Sequence, residues 1–242
     1  MDLKTAIGQM IVMGFFGTKL DDETKKVMEE CRIGNVILFS RNLTDIDQIA
    51  ELTRDIRETV MKNTGYPAFI SIDQEGGPVT RLPADIPQAP GAMAVASIGD
   101  IGLAQDVGLM TGEQLRLLGI NLNFAPDADI NSNPANPVIG VRSFGEDADT
   151  VIKYMVPEFK GMMKAGLAPC VKHFPGHGDT DVDSHLGLPT VNKSRPELEE
   201  LELKPFRAAI AEGIPFIMTS HICFPKIDSE KPATLSHVFL TD

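Results

Sequence analysis

The sequence has few cysteines, few basic residues and no long apolar run, and each shortage excludes a class of protein. Three cysteines in 242 residues are too few and too scattered for a disulfide framework, which fits a reducing compartment. The 22 basic residues face 34 acidic ones, and the net charge of −12 would repel a nucleic acid. No apolar run is long enough for a signal-peptide core or a membrane span. We therefore predict a cytoplasmic protein that binds neither nucleic acid nor membrane, although an exported form with its signal removed would look the same.

The glycine-rich signatures of nucleotide-binding proteins are also missing. Neither GxGxxG nor GxxxxGK[ST] occurs, so no nicotinamide or nucleotide cofactor is indicated. The chain shows no repeat of about 20 to 50 residues, no low-complexity tract and no linker. We predict one domain over residues 1–242 that uses no cofactor, and its oligomeric state stays open.

Short apolar runs alternate with amphipathic stretches along the chain, which is typical of βα units in a parallel sheet. Six such runs predict strands, at Met10–Phe16, Asn35–Ser40, Ala68–Asp73, Asn121–Ala125, Cys170–Phe174 and Phe216–His221. Between them, apolar residues recur at helical spacing. Two helical faces follow from that spacing: Ile46, Ile49, Ile56 and Val60, and then Ala104, Val107, Thr111, Leu115 and Leu118.

Local signals predict where the helices begin and end. Asp45 is a favoured N-cap residue, and Gly65 suits the end of the helix that follows it. Residues 147–164 are also helix-like but contain Pro157, which predicts a kink or a late start.

Polar residues gather just after the predicted strands. In a (β/α)8 barrel the chemistry is assembled at this edge from several loops, whereas an open doubly wound sheet concentrates it at one switch point. Polar groups at so many strand ends favour a TIM (β/α)8-type barrel of the α/β class. About six βα units are present, so we expect a C-terminal portion to be missing. The polar strand ends are Ser40 and Arg41, Asp73 to Glu75, Asp127 and Asp129, Lys172 and His173, and Ser220 and His221.

The richest segment is KHFPGHGDTDVDSH, from Lys172 to His185, which holds three His and three Asp. A polar, glycine-rich connection of this length is usually functional. One interpretation is a divalent-metal hydrolase, with His177, Asp179, Asp183 and His185 as ligand types, although their spacing matches no standard motif. The other pairs Asp183 with His185, so that the carboxylate sets the imidazole tautomer for general acid and base catalysis.

This segment resembles the signature of the β-N-acetylglucosaminidases of glycoside hydrolase family 3. Four further segments agree with that family in order and spacing, and together the five span most of the chain. They are ILFSRN (37 to 42), IDQEGGPVTRL (72 to 82), NFAPDADI (123 to 130) and GVRSFGED (140 to 147). The resemblance implies that residues 1–242 are the N-terminal catalytic barrel of such an enzyme, incomplete at its C-terminus.

The resemblance also implies roles. Family members retain the anomeric configuration through a covalent glycosyl-enzyme intermediate, and by motif match His185 and Asp183 are the acid/base pair of this subgroup. The residues implied to hold the sugar are Asp73, Arg81, Arg142, Lys172 and His173, and no metal is implied. The substrate expected is terminal β-linked N-acetylglucosamine (GlcNAc) in cell-wall muropeptides or chitin oligosaccharides.

The chain departs from the family pattern at the nucleophile. That residue is an aspartate in a Ser-Asp-Asp-like segment, and no such segment follows His221, so we expect it beyond Asp242. The missing nucleophile motivates one alternative, a sugar-binding fragment without activity. A second alternative is a β-N-acetylglucosaminide phosphorylase, because an uncharged His acid/base would let phosphate replace water.

Overall fold

The chain forms one parallel six-stranded sheet with helices packed along it. The computed structural model describes residues 1–181 and 187–241. Its strands pair in sequence order, from β1 to β6, and each neighbouring pair is parallel. The strands are β1 (Val12–Met13), β2 (Asn35–Leu38), β3 (Phe69–Ile72), β4 (Leu122–Asn123), β5 (Ala168–Phe174) and β6 (Phe216–Thr219).

The α-helices of the described residues lie mostly between the strands, as βα units require. They are α1 (Leu3–Gln9), α2 (Asp22–Cys31), α3 (Ile46–Thr64), α4 (Ala92–Ile98), α5 (Ile101–Leu117), α6 (Ala148–Lys164), α7 (Arg195–Glu200), α8 (Leu203–Ala211) and α9 (His237–Leu240). None of the helices in the described ranges is both long and apolar enough to cross a membrane.

The sheet is curled rather than flat. Phe69 on β3 and Phe216 on β6 are three strands apart, which in a flat sheet would separate them by about 14 Å. Their ring centroids lie only 5.4 Å apart, in an edge-to-face contact. The sheet therefore bends into part of a barrel, which confirms the predicted TIM-type architecture.

All six predicted strands exist, but two are much shorter than expected: the fourth keeps only Leu122–Asn123 of Asn121–Ala125, and the first contracts most. Met10, the first residue of the first predicted strand, instead caps α1 by donating its N–H to the Ile7 carbonyl at 3.0 Å. After Met13, the Asn42 side chain donates to the carbonyls of Phe15 (3.2 Å) and Gly17 (2.7 Å). Side-chain hydrogen bonds thus replace the strand ladder there, and the predicted strand Met10–Phe16 contracts to two residues.

The helix signals are confirmed for α3 but not fully for α6. The Asp45 carboxylate accepts the Gln48 N–H at 2.9 Å, and Gly65 ends α3 with a positive φ of 77°. The late start predicted for α6 is wrong, because the helix begins at Ala148 and runs through Pro157. Its buried apolar face continues on both sides of the proline, and that packing offsets the lost backbone hydrogen bond.

Helices α5 and α6 approach each other closely through glycines. A Cβ at Gly108 would lie 1.9 Å from the Glu158 carbonyl oxygen, and one at Gly161 would lie 2.2 Å from the Gln105 carbonyl oxygen. Neither position accepts a side chain without separating the helices. Apolar residues of both helices pack in one core cluster with Val171 of β5.

Candidate functional site

A pocket of about 300 Å³ opens at the carboxyl ends of the strands. Its wall and floor come from the loops after β2, β3, β4, β5 and β6, and from the 3₁₀ turn at Gly140–Arg142. This is the edge at which barrel folds assemble chemistry. The lining residues are Ile37, Phe39, Asp73, Glu75, Val79, Arg81, Phe124, Val138, Arg142, Lys172, His173, His177, Met218, Thr219, Ser220 and His221.

Lys172 lies at the centre of the pocket floor. Its side chain is only 2% exposed, and its Nζ lies 2.9 Å from Asp73 Oδ1 and 2.5 Å from Glu75 Oε1. Burial alone would lower the pKa of Lys172, but the carboxylates of Glu75, Asp127 and Asp73 outweigh it and raise that pKa above its usual value. Lys172 is therefore a fixed cation at neutral pH.

Arg142 holds Glu75 from the other side. The guanidinium donates from Nε to Glu75 Oε2 and from Nη2 to Glu75 Oε1, both at 2.9 Å. A bidentate pair of this kind fixes direction as well as charge. Burial would raise the pKa of Glu75, but Lys172 and Arg142 hold it below its usual range, so this carboxylate stays ionised.

Asp127 is the least satisfied acid of the floor. Both of its carboxylate oxygens are buried without a hydrogen bond to any described residue, and Oδ2 lies 3.4 Å from Arg142 Nη2. Burial raises the pKa of Asp127 well above its usual value, and the negative charge of Glu75 raises it further, against the opposing charges of Arg142 and Lys172. The pKa of Asp127 is therefore shifted in the opposite direction to that of Glu75.

Asp129 connects the His173 ring to the loop that follows β5. Its Oδ2 lies 2.6 Å from His173 Nδ1, and its Oδ1 accepts the His177 N–H at 2.6 Å. Burial would raise the pKa of Asp129, but His173 and these hydrogen bonds lower it. Burial lowers the pKa of His173, so a neutral ring donates from Nδ1 and turns Nε2 away from Asp129.

The first residues after β5 are held by a buried polar network. His177 is buried, and its Nδ1 lies 2.8 Å from Thr180 Oγ1. The Asn136 amide donates to the His177 carbonyl at 2.8 Å and to Thr180 Oγ1 at 3.2 Å. Asp179 forms a 2.9 Å ion pair with Lys193. Hydrogen bonds thus connect residues 175–181 with the 131–139 loop, and an ion pair connects them with Lys193, which follows the predicted catalytic pair.

The donor groups do not form an evident cation site in the part of the chain that the structure describes. Donor atoms of Asp127, Asp129 and His173 lie within 4.8 Å of one another. However, Asp129 already accepts three N–H groups, and the cations of Lys172 and Arg142 adjoin the cluster. Of the sequence-predicted metal ligands, His177 and Asp179 are engaged with Thr180 and Lys193 instead.

Three groups of the pocket keep bonding capacity for a ligand. The second oxygen of Asp73 makes no hydrogen bond to a described residue, and neither does His173 Nε2. The Arg81 guanidinium forms no ion pair within residues 1–181 or 187–241, and its Nε is buried without a partner. An acceptor, a ring nitrogen and a planar cation therefore face the same cavity, a set that suits a polyhydroxylated ligand.

The structure brings all the described sugar-binding candidates into one pocket. Arg81, Asp73, Arg142, Lys172 and His173 all line it. The predicted acid/base residues, Asp183 and His185, lie outside the described residues.

Several pocket residues were not singled out from the sequence. The sequence does not predict the apolar wall residues Phe39 and Phe124, and it indicates Asp129, which contacts the lining residue His173, only as a polar residue after a strand. The alternation of DAD in residues 127–129, with Ala128 buried in the core, was the available signal that both acids point away from that core. His221 lines the rim, as its position after β6 indicates.

A comparison with protein-family models identifies the family of this chain. The family model for the "Glycosyl hydrolase family 3 N terminal domain" matches residues 2–242. The chain belongs to glycosyl hydrolase family 3. Beta-hexosaminidase A of Pseudoalteromonas piscicida is 40% identical over 93% of this chain, and the matched part is 40% of that protein. Beta-hexosaminidase of Neisseria meningitidis serogroup C is 35% identical over 92% of this chain and 62% of its own length. The family 3 chain thus spans about half the length of these curated relatives.

Solved structures of family 3 members agree with the fold. A β-N-acetylglucosaminidase from a Paenibacillus species superposes with a TM-score of 0.95 at 46% identity, over 99% of this chain and 46% of that one. NagZ from Neisseria gonorrhoeae, in complex with N-trifluoroacetyl-D-glucosamine, gives a TM-score of 0.87 at 33% identity. That match covers 96% of this chain and 68% of the neisserial one.

Proposed function

We propose that this family 3 chain is the sugar-holding part of a retaining exo-β-N-acetylglucosaminidase, which removes terminal β-linked GlcNAc. The observation that carries the proposal is the convergence of Asp73, Arg81, Lys172 and His173 on one pocket. The pocket volume of about 300 Å³ is at the low end for small-molecule sites and suits a single sugar ring. The NagZ complex with an N-acylated glucosamine supports a similar ligand here.

The proposed sugar contacts follow from the bonding capacity that the floor leaves open. Asp73 would accept from a sugar hydroxyl with the oxygen that Lys172 does not hold. The hydroxyl oxygens would in turn accept from Arg81 and from Lys172. The bond to the Asp73 carboxylate would strengthen as positive charge develops on the sugar ring, and that differential favours the transition state.

The protonation state of His173 decides how the ring contacts the sugar. With Nδ1–H donated to Asp129, its Nε2 is an acceptor for a hydroxyl hydrogen. Burial opposes a second proton on this ring and lowers the pKa of His173, and the nearby charges of Lys172 and Arg142 lower it further, against the opposing charge of Asp129. We infer that His173 acts as an acceptor at neutral pH.

For the proton transfers we propose His185, oriented by Asp183, on the strength of the motif match. His185 would protonate the leaving oxygen and then deprotonate the attacking water, as a two-step retaining mechanism requires. We assign the attacking carboxylate to no residue of this chain. As substrates of the whole enzyme we propose cell-wall muropeptides or chitin oligosaccharides.

Phenol release from an aryl N-acetyl-β-glucosaminide, measured together with GlcNAc affinity, tests the proposal. If this chain hydrolyses the aryl glycoside, H185A should slow phenol release by about 10²- to 10⁴-fold, while the Kd for GlcNAc should hardly change. GlcNAc binding without phenol release by the wild-type chain would favour the sugar-binding alternative. Absence of both would contradict the proposed function, and a phosphorylated product in phosphate buffer would favour the phosphorylase.

A further inference from the structure

The buried amide of Asn136 joins the loop after β4 to the segment after β5. Its Oδ1 accepts the N–H groups of Val138 and Ile139, both at 2.8 Å. Its Nδ2 donates to the carbonyl of His177 at 2.8 Å and to that of Gly178 at 3.1 Å. A backbone N–H only donates and a carbonyl only accepts, so these partners fix which end of the amide is oxygen and which is nitrogen. Both ends of this side chain are therefore in use, one on each segment.

Thr180 completes the contact between the two segments. Its side chain is fully buried, and its Oγ1 lies 2.8 Å from His177 Nδ1 and 3.2 Å from Asn136 Nδ2. The backbones touch as well, because a Cβ at Gly178 would lie 1.6 Å from the Ile130 carbonyl oxygen. The His177 imidazole is thus held at Nδ1 by a hydroxyl, and its backbone carbonyl is held by an amide.

The ring of His177 in turn packs against the ring of His173. The two ring centroids lie 5.6 Å apart in an edge-to-face contact, and both rings line the pocket. Asp129 accepts from His173 Nδ1 and from the His177 N–H, each at 2.6 Å. The χ2 torsion of a histidine is broad, so a hydrogen bond at one nitrogen leaves the His173 ring some freedom to turn. Packing against the His177 ring limits that freedom.

We propose that Asn136 and Thr180 are positioning residues for the sugar, which act through His177 on the orientation of His173. This inference rests on the proposed function, in which His173 Nε2 accepts a sugar hydroxyl. Neither Asn136 nor Thr180 lines the pocket, so neither acts by touching the sugar. They set the direction of a contact before the ligand arrives, and a site ordered in advance loses less conformational freedom on binding.

The test removes the hydrogen-bond donors and keeps the size of each side chain. N136D keeps the oxygen that accepts from Val138 and Ile139, but it places a second oxygen against the carbonyls of His177 and Gly178. T180V replaces the hydroxyl with a methyl group, and T180S keeps the hydroxyl. We would measure the GlcNAc affinity of the full chain by titration calorimetry and the imidazole ¹⁵N chemical shifts of His173 and His177.

We expect the GlcNAc affinity to fall about tenfold in N136D and about threefold in T180V, the range for one buried hydrogen bond. The ¹⁵N shifts of His177 should change in both variants. T180S should restore both the affinity and the shifts, which a loss of packing alone would not do. N192D, the same substitution at an exposed asparagine, should change neither quantity.

The outcomes separate this inference from the proposed function. If the wild type binds GlcNAc and a folded N136D binds it equally well, the positioning role is wrong and the pocket stands. Should N136D fail to fold, the comparison of T180V with T180S decides, and a T180V variant with wild-type affinity and shifts would overturn the proposal. If the wild type itself binds no GlcNAc, the proposed function fails and this inference falls with it.

Discussion

The pocket floor and helix α6 both bury carboxyl groups, but only the floor supplies them with cations. Glu75 lies between Lys172 and Arg142 and stays ionised. Glu158 on α6 is 3% exposed and has no hydrogen bond or ion pair to a described residue, and burial raises its pKa to about 8. Burial acts in the same direction in both places, so the neighbouring charge decides the protonation state.

This difference has a functional meaning. Ionised, directionally held acids can order sugar hydroxyls without rearranging on binding, which is the basis of preorganisation. A neutral buried acid such as Glu158 contributes packing and no directed charge. Four substitutions, two at the charged floor, one on α6 and one at the pocket wall, test whether neighbouring charge makes this difference.

The first variant makes the floor resemble α6. K172M leaves Asp73 and Glu75 without their shared cation at 2.9 and 2.5 Å. Removing one partner of a buried ion pair typically costs about 3–5 kcal/mol. Urea unfolding at pH 7 should show a loss of that size, and GlcNAc binding should disappear. K62M, at an exposed lysine near the end of α3, is the control, and a K172M loss as small as the control's would refute the cation's role.

The second variant removes the unpaired acid. The pKa of Glu158 is raised from about 4.5 in the unfolded chain to about 8 in the folded chain. The free energy of unfolding is therefore unaffected by this shift below pH 4.5 and falls as the pH rises from 4.5 towards 8. Because pH 7 lies about 2.5 units above the unfolded pKa, the loss in the free energy of unfolding at pH 7 is roughly 3 kcal/mol. E158Q should therefore be more stable than the wild type at pH 7 and equal to it at pH 4. Urea unfolding at both pH values would show this, and equal stability at pH 7 would mean that Glu158 is not neutral.

The third variant tests the contact between the floor and the loop after β5. D129N removes the charge that accepts His173 Nδ1–H and the His177 N–H at 2.6 Å. We expect a stability loss of about 1–3 kcal/mol, a shift of the His173 tautomer towards Nε2–H, and weaker GlcNAc binding. Imidazole ¹⁵N chemical shifts report the tautomer. D85N, at an exposed acid, is the matched control, and an unaltered His173 tautomer would contradict the assignment.

The fourth variant changes affinity alone. Arg81 holds no acid in the described part of the chain, so R81A should leave the free energy of unfolding almost unchanged. We expect the GlcNAc affinity to fall about tenfold, or about 1.4 kcal/mol. Calorimetry and thermal unfolding on the same sample separate the two effects. A stability loss with intact affinity would instead make Arg81 a structural residue.

Much of the fold follows from the sequence because its signals are local. The alternation of apolar runs with helical faces predicts all six strands, and the N-cap at Asp45 predicts the start of α3. The contraction of the first strand does not follow, because it depends on Asn42, which reaches back to Phe15 and Gly17 from 25 residues or more along the chain.

The site is predictable only in part, for a similar reason. Residues at strand ends, such as Asp73 and Lys172, meet because parallel strands bring their carboxyl ends together. Which acid pairs with which cation depends on side-chain geometry across loops, so the position of Asp129 under His173 could not be read from spacing. The assignment of Asp183 and His185 stays a prediction.

A crystal structure of this chain with GlcNAc tests the central claim most directly. We expect one sugar on the pocket floor, with its hydroxyls bonded to the free Asp73 oxygen, to Arg81 and to His173 Nε2. The Lys172 contacts to Asp73 and Glu75 should be unchanged from the free chain. A sugar bound elsewhere, or a floor whose ion pairs rearrange to admit it, would contradict the account.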